Sequence, residues 1–507
     1  MNFYDNFKVL FPEDGSVTVS KSADSYKITL TPKGTPVKEV RVKWFFDTSF
    51  MKKILADSWG VARGDLGWKS PDFNKRAEWY FLAFDGERTT GYGVKTGCKS
   101  FCSWQLSEDG ITLICDTRNG GEGVELTAPL VCAEAVFYES KQGETPYEAS
   151  KSFCKMMCEK PNIPKRAIYG FNTWYYTYGD ITRASVMEGT RLCARLASTV
   201  DKDAPRPLMV IDDGWNKNGI YTGTKYNGGP FVPNDDFCNM KSVAEDISAL
   251  GCDPGIWIRP LLVRDELLPD MPAECYSENQ DFPTRGKVLD PTTEGAKEYI
   301  RTLVTEMADC GYKLIKHDFT CPDFMGPDFL KPNLTRGGWH LSDRTKTNAE
   351  VLMDLYTLIQ DSAKGAHIIG CNVYNHLAAG IHDIVRSGCD TSGKDWQVTK
   401  KYGLNCLVYR LCQNKTLLIT DADCAAFTDK VPTDLNLDYA ELISFTDSAL
   451  FVSAAPGILT TKDEERLMEA FRRASKFNNE MTPVDWMDTS LPTEFMYDGK
   501  LYKYDWK

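Results

Sequence analysis

A chain of 507 residues with 42% hydrophobic, 12% aromatic and 26% charged residues has the composition of a globular protein and room for two or three packed domains. Low-complexity, collagen-like and heptad biases are absent, and no 18-residue apolar run exists to form a transmembrane helix. The net charge of −12 repels nucleic acid and anionic membrane at long range, so neither is expected as a partner; a neutral or small polar ligand fits better.

Residues 1–160 predict an N-terminal β-sandwich domain. Short runs rich in β-branched and aromatic residues, at Val17 to Ser20, Tyr26 to Leu30, Val40 to Phe46, Trp79 to Phe84, Thr90 to Val94, Phe101 to Leu106, Ile111 to Cys115, Gly123 to Leu126 and Ala133 to Tyr138, are separated by Gly, Asp and Asn turns. Pro146 to Glu159 predicts a linking helix.

From Ala167 the pattern becomes strand, loop, helix, repeated, and residues 161–476 predict a (β/α)8 barrel, the TIM-barrel fold. The expected strands are Ile168 to Trp174, Pro207 to Ile211, Cys252 to Ile258, Leu314 to Asp318, Ala366 to Gly370, Ile384 to Ser387, Thr416 to Thr420 and Phe451 to Ser453. Helices are expected near Thr182 to Thr199, Met240 to Leu250, Thr293 to Cys310, Asn348 to Ala363, Trp396 to Cys412, Tyr439 to Ser448 and Lys462 to Ser475. An open doubly wound sheet would carry Gly-x-Gly-x-x-Gly after a strand, which none of these does. Residues 477–507 predict a short C-terminal β segment, with a hairpin from Glu494 to Tyr504.

The seventeen cysteines, an odd number scattered through apolar segments, suit reduced thiols; Met1 to Lys8 lacks the basic-then-apolar pattern of a signal peptide, so a cytoplasmic location is expected. Paired Cys-x-x-Cys motifs and His-Glu-x-x-His are both missing, and no metal site is expected; Cys154 with Cys158 and Cys98 with Cys102 read as buried packing.

A barrel brings together the polar residues that follow its strands, at the C-terminal mouth. Those residues are Trp174; Asp212, Asp213 and Trp215; Trp257 and Arg259; Lys316 and Asp318; Cys371 and Asn372; Arg386 and Asp390; Asp421 and Asp423. Lys316 and Asp318 are two apart and point to the same side of an extended chain. Carboxylates and cations bind hydroxyls through charge-assisted hydrogen bonds and tryptophans stack on the C–H face of a pyranose, so the set suits a sugar. Plainer readings accompany each group: a strand-capping pair for Lys316 and Asp318, an Asx turn for Asp212 and Asp213, core plugs for Trp174 and Trp257, loop supports for Asp421 and Asp423. His317 points away from Asp318 and reads as a packed structural histidine.

The segments Gly170 to Trp174, Ile211 to Trp215, Gly255 to Ile258, Lys316 to Asp318 and Arg386 to Asp390, in this order, resemble the α-galactosidases of glycoside hydrolase families 36 and 27 in clan D, and family 36 most of all. The resemblance covers roughly residues 165–460 and extends to the N-terminal β domain. It implies that Asp318 is the nucleophile, Asp390 the acid/base beside Arg386, Asp212 and Asp213 the ligands of the galactose 4- and 6-hydroxyls, and Lys316 the ligand of a ring hydroxyl. Trp174, Trp257, Cys371, Asn372 and Arg386 complete the expected substrate-binding set. Departures from family 36 are the run Gly370-Cys371-Asn372-Val373-Tyr374-Asn375-His376, the segment Gly388-Cys389-Asp390-Thr391 and the near absence of a C-terminal β domain.

The expected activity is retaining hydrolysis of terminal α-galactosides with no cofactor. Alternatives are an α-N-acetylgalactosaminidase, because Asn372 and Asn375 occupy the loop expected at the sugar's 2-position, a transglycosylase of the raffinose-synthase kind, and a catalytically silent sugar-binding protein.

Overall fold

The computed structural model describes residues 5–217, 226–268, 270–281, 286–331 and 333–507. Its first part is a ten-stranded antiparallel sheet in the order Phe7–Phe11, Glu39–Phe45, Gly110–Asp116, Phe101–Ser107, Arg76–Phe84, Thr89–Val94, Leu130–Glu139, Ser25–Leu30 and Val17–Lys21, with Lys53–Asp57 also paired to Arg76–Phe84. Alternating buried positions such as Val40, Val42 and Trp44 give this sheet one apolar face. The sheet curls so that its ends meet across that face. Trp44 lies 5.3 Å from Phe137, five strands away in the sheet order, and Phe7 lies 5.8 Å from Tyr26. The result is the expected sandwich-like β domain. Two strands, Phe7–Phe11 and Lys53–Asp57, escaped the sequence reading, and the expected strand from Gly123 to Leu126 is reduced to Glu122–Gly123 paired with Arg118–Asn119. That hairpin docks on the barrel instead of joining the sheet, because Asn119 Nδ2 donates to the carbonyls of Asp343 and Lys346, both at 2.8 Å.

The helix Pro146–Met157 follows, capped by a Thr145 and Glu148 capping box. Then eight parallel strands close into a barrel: Tyr169–Asn172, Leu208–Ile211, Asp253–Ile258, Leu314–His317, His367–Gly370, Ile384–Arg386, Ile419–Phe427 and Ala449–Ala454. Strand alternation divides the apolar residues into two layers. Leu208, Val210, Leu314, Ile369, Ile384, Ile419 and Phe451 fill the barrel interior, while Met209, Ile211, Ile256, Ile315, Ile368 and Val452 pack outward in the larger core.

Three elements differ from their sequence expectation. The seventh strand begins at Ile419, not Thr416, because the Thr416 hydroxyl and backbone N–H close a turn onto Cys412 and Gln413. It then runs to Phe427, so Asp421 and Asp423 lie within it and not beyond its end. The helix expected from Trp396 to Cys412 is split by a π-helical segment, Thr399–Leu404. The helix expected from Tyr439 starts at Thr433, directly after Pro432. The chain ends in a small antiparallel sheet of Thr482–Pro483, Glu494–Tyr497 and Lys500–Lys503. Among the described residues no helix is long and apolar enough to cross a membrane.

The N-terminal sheet and the barrel are joined close to the barrel mouth. The fully buried Arg410 donates to the Asp57 carboxylate at 2.9 Å and to the carbonyls of Gly60 and Ser387. Ala62 N–H donates to Ser387 O and Cys389 N–H to Ala62 O, both at 3.1 Å, so a segment from the first domain brackets Gly388. Gly388 itself allows no side chain, since a Cβ there would lie 2.0 Å from the Tyr402 carbonyl.

Candidate active site

Lys316 and Asp318 both face the barrel interior from the end of the fourth strand, as period-two geometry requires. They do not bond each other. Lys316 Nζ lies 2.7 Å from Asp212 Oδ2, and Asp212 also accepts from Asn172 Nδ2 at 2.8 Å. Burial works to discharge the ammonium, but the Asp212 charge together with the other negative groups around it, Asp318 among them, holds the Lys316 pKa well above the ordinary lysine range.

Asp318 is buried and carries three donors. Oδ1 accepts from Phe319 N–H at 2.7 Å and from Asn372 Nδ2 at 2.6 Å, and Oδ2 from Trp257 Nε1 at 3.2 Å. Burial alone would raise this carboxyl, yet the Lys316 charge and these donors hold it below the usual carboxylate value. Phe319 and Asn372 have left-handed backbones, with φ of 62° and 54°, a non-glycine strain concentrated where the donors are aimed.

Asp390 has the opposite environment. Water reaches 63% of its side chain, yet desolvation by the surrounding protein, with the nearby Asp423 and Asp318 charges, pushes its pKa up to about 6 against the pull of Arg386. Arg386 Nη1 is 3.1 Å from Asp390 Oδ1 and 2.8 Å from Asp423 Oδ2, and Nε is 3.1 Å from Asp421 Oδ2. Asp213, beside the charge-paired Asp212, is pushed to about 7 by burial and by the Asp212 charge; Asn227 Nδ2 lies 3.3 Å away. Gly214 turns the chain here at φ of 122°, where a Cβ would strike the Gly179 carbonyl at 2.2 Å.

The remaining expected residues line the same mouth. Trp257 is buried and its carbonyl accepts from Trp215 Nε1 at 3.0 Å. Trp174 is half-buried against Tyr178, Cys371 is buried within the electrostatic reach of Lys316, Asp318, Arg386 and Asp390, and Asn372 is committed to Asp318. Asn375 lies further back, its N–H on the Trp59 carbonyl at 2.6 Å. His317 faces outward and meets His382 Nε2 at 2.9 Å, as its packed reading requires.

Sequence reasoning missed several participants. Asp323 holds Arg259 through two bonds of 2.9 and 2.5 Å, Asn172 supports Asp212, and Tyr175 donates to Asp423. Asn172 was within a motif already noted, and Asp323 follows Asp318 by less than two helical turns; neither spacing alone specifies a partner. A cavity of about 590 Å³ lies elsewhere, at the loop end of the N-terminal sheet among Phe11, Arg41 and Arg76. It lacks the convergence of oppositely shifted carboxyls that marks the barrel mouth. Among the described residues no group of three or more His, Cys, Asp and Glu is arranged to hold a metal ion.

No protein-family model and no curated protein sequence matches this chain. Solved structures do. The α-galactosidase TtGalA from Thermus thermophilus, in complex with p-nitrophenyl α-D-galactopyranoside, superposes with a TM-score of 0.63 at 16% identity over 97% of this chain and 99% of that chain. A variant of the family 36 α-galactosidase AgaA from Geobacillus stearothermophilus, in complex with raffinose, gives 0.62 at 14% identity over 93% and 69%. The α-galactosidase from Lactobacillus brevis gives 0.64 at 13% over 93% and 65%. The chain therefore has the fold of the family 36 α-galactosidases.

Proposed function

We propose that this protein is a retaining glycoside hydrolase that removes terminal α-D-galactosyl residues. The observation that carries the reading is the pair of carboxyls at one barrel mouth with opposed proton affinities, Asp318 held ionised and Asp390 raised to about 6. In the first step Asp318 attacks the anomeric carbon while Asp390 gives its proton to the departing oxygen. In the second, Asp390 takes a proton from water, which displaces the glycosyl ester with net retention.

The donors around Asp318 distinguish its two oxygens. Oδ1 is engaged by two short bonds and suits the carbonyl oxygen of the ester, whereas Oδ2, with one bond of 3.2 Å, is the freer nucleophile. Asp213, Lys316 and Trp174 are assigned to the sugar's hydroxyls and stacking face, with Asp212 fixing the lysine. Asn372 favours galactose over N-acetylgalactosamine, because its amide is oriented by Asp318 and only its second N–H remains for the group at the sugar's 2-position. A glycoside hydrolase without bound cofactor needs nothing beyond these groups.

The test is kcat/KM on matched aryl α-galactoside, α-N-acetylgalactosaminide and α-glucoside, with product analysis in the presence of an acceptor sugar. Preference for the galactoside with free galactose as the main product is expected. A roughly tenfold preference for the acetamido sugar, or transfer exceeding hydrolysis, would replace the reading by one of the alternatives.

A further inference from the structure

We propose that Asp423 is the positioning residue that keeps Asp390 protonated, by drawing the Arg386 guanidinium to itself and setting a second negative charge beside the acid/base; this rests on the role given to Asp390 above. The seventh strand carries the device. Between Asp421 and Cys424 it holds one more residue than its partner Ala449–Phe451, a β-bulge, and Asp423 sits in it at φ of 66°. Without the bulge, Asp421 and Asp423 would still share a face but at a strand's regular spacing; with it, both carboxylates close on one guanidinium.

Asp423 is anchored on three sides. Its Oδ2 accepts from Tyr175 OH, from Arg386 and, at 2.8 Å, from the N–H of Thr391, the residue after Asp390. Its N–H donates to Asp421 Oδ1 at 2.9 Å, while its Oδ1 is buried with no hydrogen-bond partner. One buried guanidinium thus already faces two buried carboxylates. Ionising Asp390 would add a third anion beside a guanidinium that already serves two, so the proton on Asp390 is retained to higher pH. Other groups of the described residues act on the same site. Asp318 from the fourth strand acts in the same direction and Lys316 against it. Tyr175 and Cys371 lie within its electrostatic reach, Cys389 neighbours it in the chain, and Arg63 of the N-terminal segment acts on Cys389.

The experiment measures kcat/KM against pH on an alkyl α-galactoside, whose departure needs a proton. In Asp423→Asn the alkaline limb is expected to move down by about one pH unit, since the guanidinium then left to Asp390 is an opposite charge of the kind that lowers a carboxyl by about one to three. Activity at pH 5 then stays nearer to wild type than activity at pH 7. Asp423→Glu, which restores the charge, is expected to return the limb towards its original place. Tyr175→Phe strips a donor from Asp423 without removing its charge, so its limb is expected to rise. A Asp423→Asn profile that is a scaled copy of the wild-type profile overturns the proposal, as does a glutamate variant displaced as far as the asparagine one. Should Asp423→Asn fail to fold, Tyr175→Phe decides alone: a limb unmoved or lowered overturns the proposal. A wild-type protein inactive on all α-glycosides overturns this inference together with the function it rests on, whereas an active wild type with an unmoved Asp423→Asn limb overturns only the inference.

Discussion

Lys316 Nζ lies 2.7 Å from Asp212 Oδ2, so a cation from the fourth barrel strand neutralises a carboxylate from the second across the third strand between them. The adjacent Asp213 is pushed up to about 7 by burial and by the Asp212 charge, against the weaker pull of Arg259. Two neighbouring aspartates therefore have different partners: Asp212 holds Lys316, while Asp213 is a carboxyl that gains a proton in the neutral range.

That difference has a stability signature. An acid whose folded pKa exceeds its unfolded value binds more protons in the native state, so its contribution is fully present below about pH 4 and is lost as pH rises towards 7. Asp213→Asn is expected to flatten the fall in Tm between pH 4 and 7. The same variant should lose galactoside kcat/KM by the worth of a neutral hydrogen bond, about 0.5–1.5 kcal/mol, at the acid pH where Asp213 holds its proton. Thermal melts across pH, with and without the substitution, check the first part; an unchanged slope refutes it.

Asp318→Asn is expected to abolish turnover while leaving the barrel folded, because an amide cannot form the glycosyl ester but its oxygen can still accept from Phe319 N–H and Asn372 Nδ2. Asn372→Ala removes one of those donors and is expected to lower kcat more than it raises KM. Rates near wild type for Asp318→Asn on an activated aryl α-galactoside would place the nucleophile elsewhere.

Asp390→Ala is expected to slow alkyl leaving groups far more than dinitrophenyl ones in the first step, since only the former need a proton. Azide should restore turnover of the activated substrate and, attacking the β-linked ester, give an α-galactosyl azide. Equal losses for all leaving groups, with no azide product, would assign Asp390 another role.

The wild-type kcat/KM profile is expected to be a bell on the acid side of neutrality. Its alkaline limb falls as Asp390 loses its proton near pH 6, and its acid limb follows protonation of Asp318, which is held below the ordinary carboxylate value. A profile rising through pH 8 would be incompatible with Asp390 as the acid.

By itself the sequence determined the barrel, the β domain before it and the inward pairing of Lys316 with Asp318. All three follow from local periodicity: strand runs of alternating or continuous apolar residues, helices at regular spacing, and two-residue repetition that sends both polar groups to one side. It also placed Asp212 and Asp213 after the second strand, Arg386 at the end of the sixth and Asp390 beyond it. Partner choice was decided only by the tertiary structure. Whether Lys316 serves Asp318 or Asp212 depends on how far each strand projects into the barrel, a matter of shear and tilt that no local pattern records. The start of the seventh strand turned on a side chain closing the turn at Thr416, and its bulge on pairing with Ala449–Ala454, which lies more than twenty residues on. Likewise the segment around Ala62 brackets the Asp390 loop through backbone bonds between residues some 325 apart in the chain, a closeness that arises from packing two domains and leaves no trace in either sequence segment.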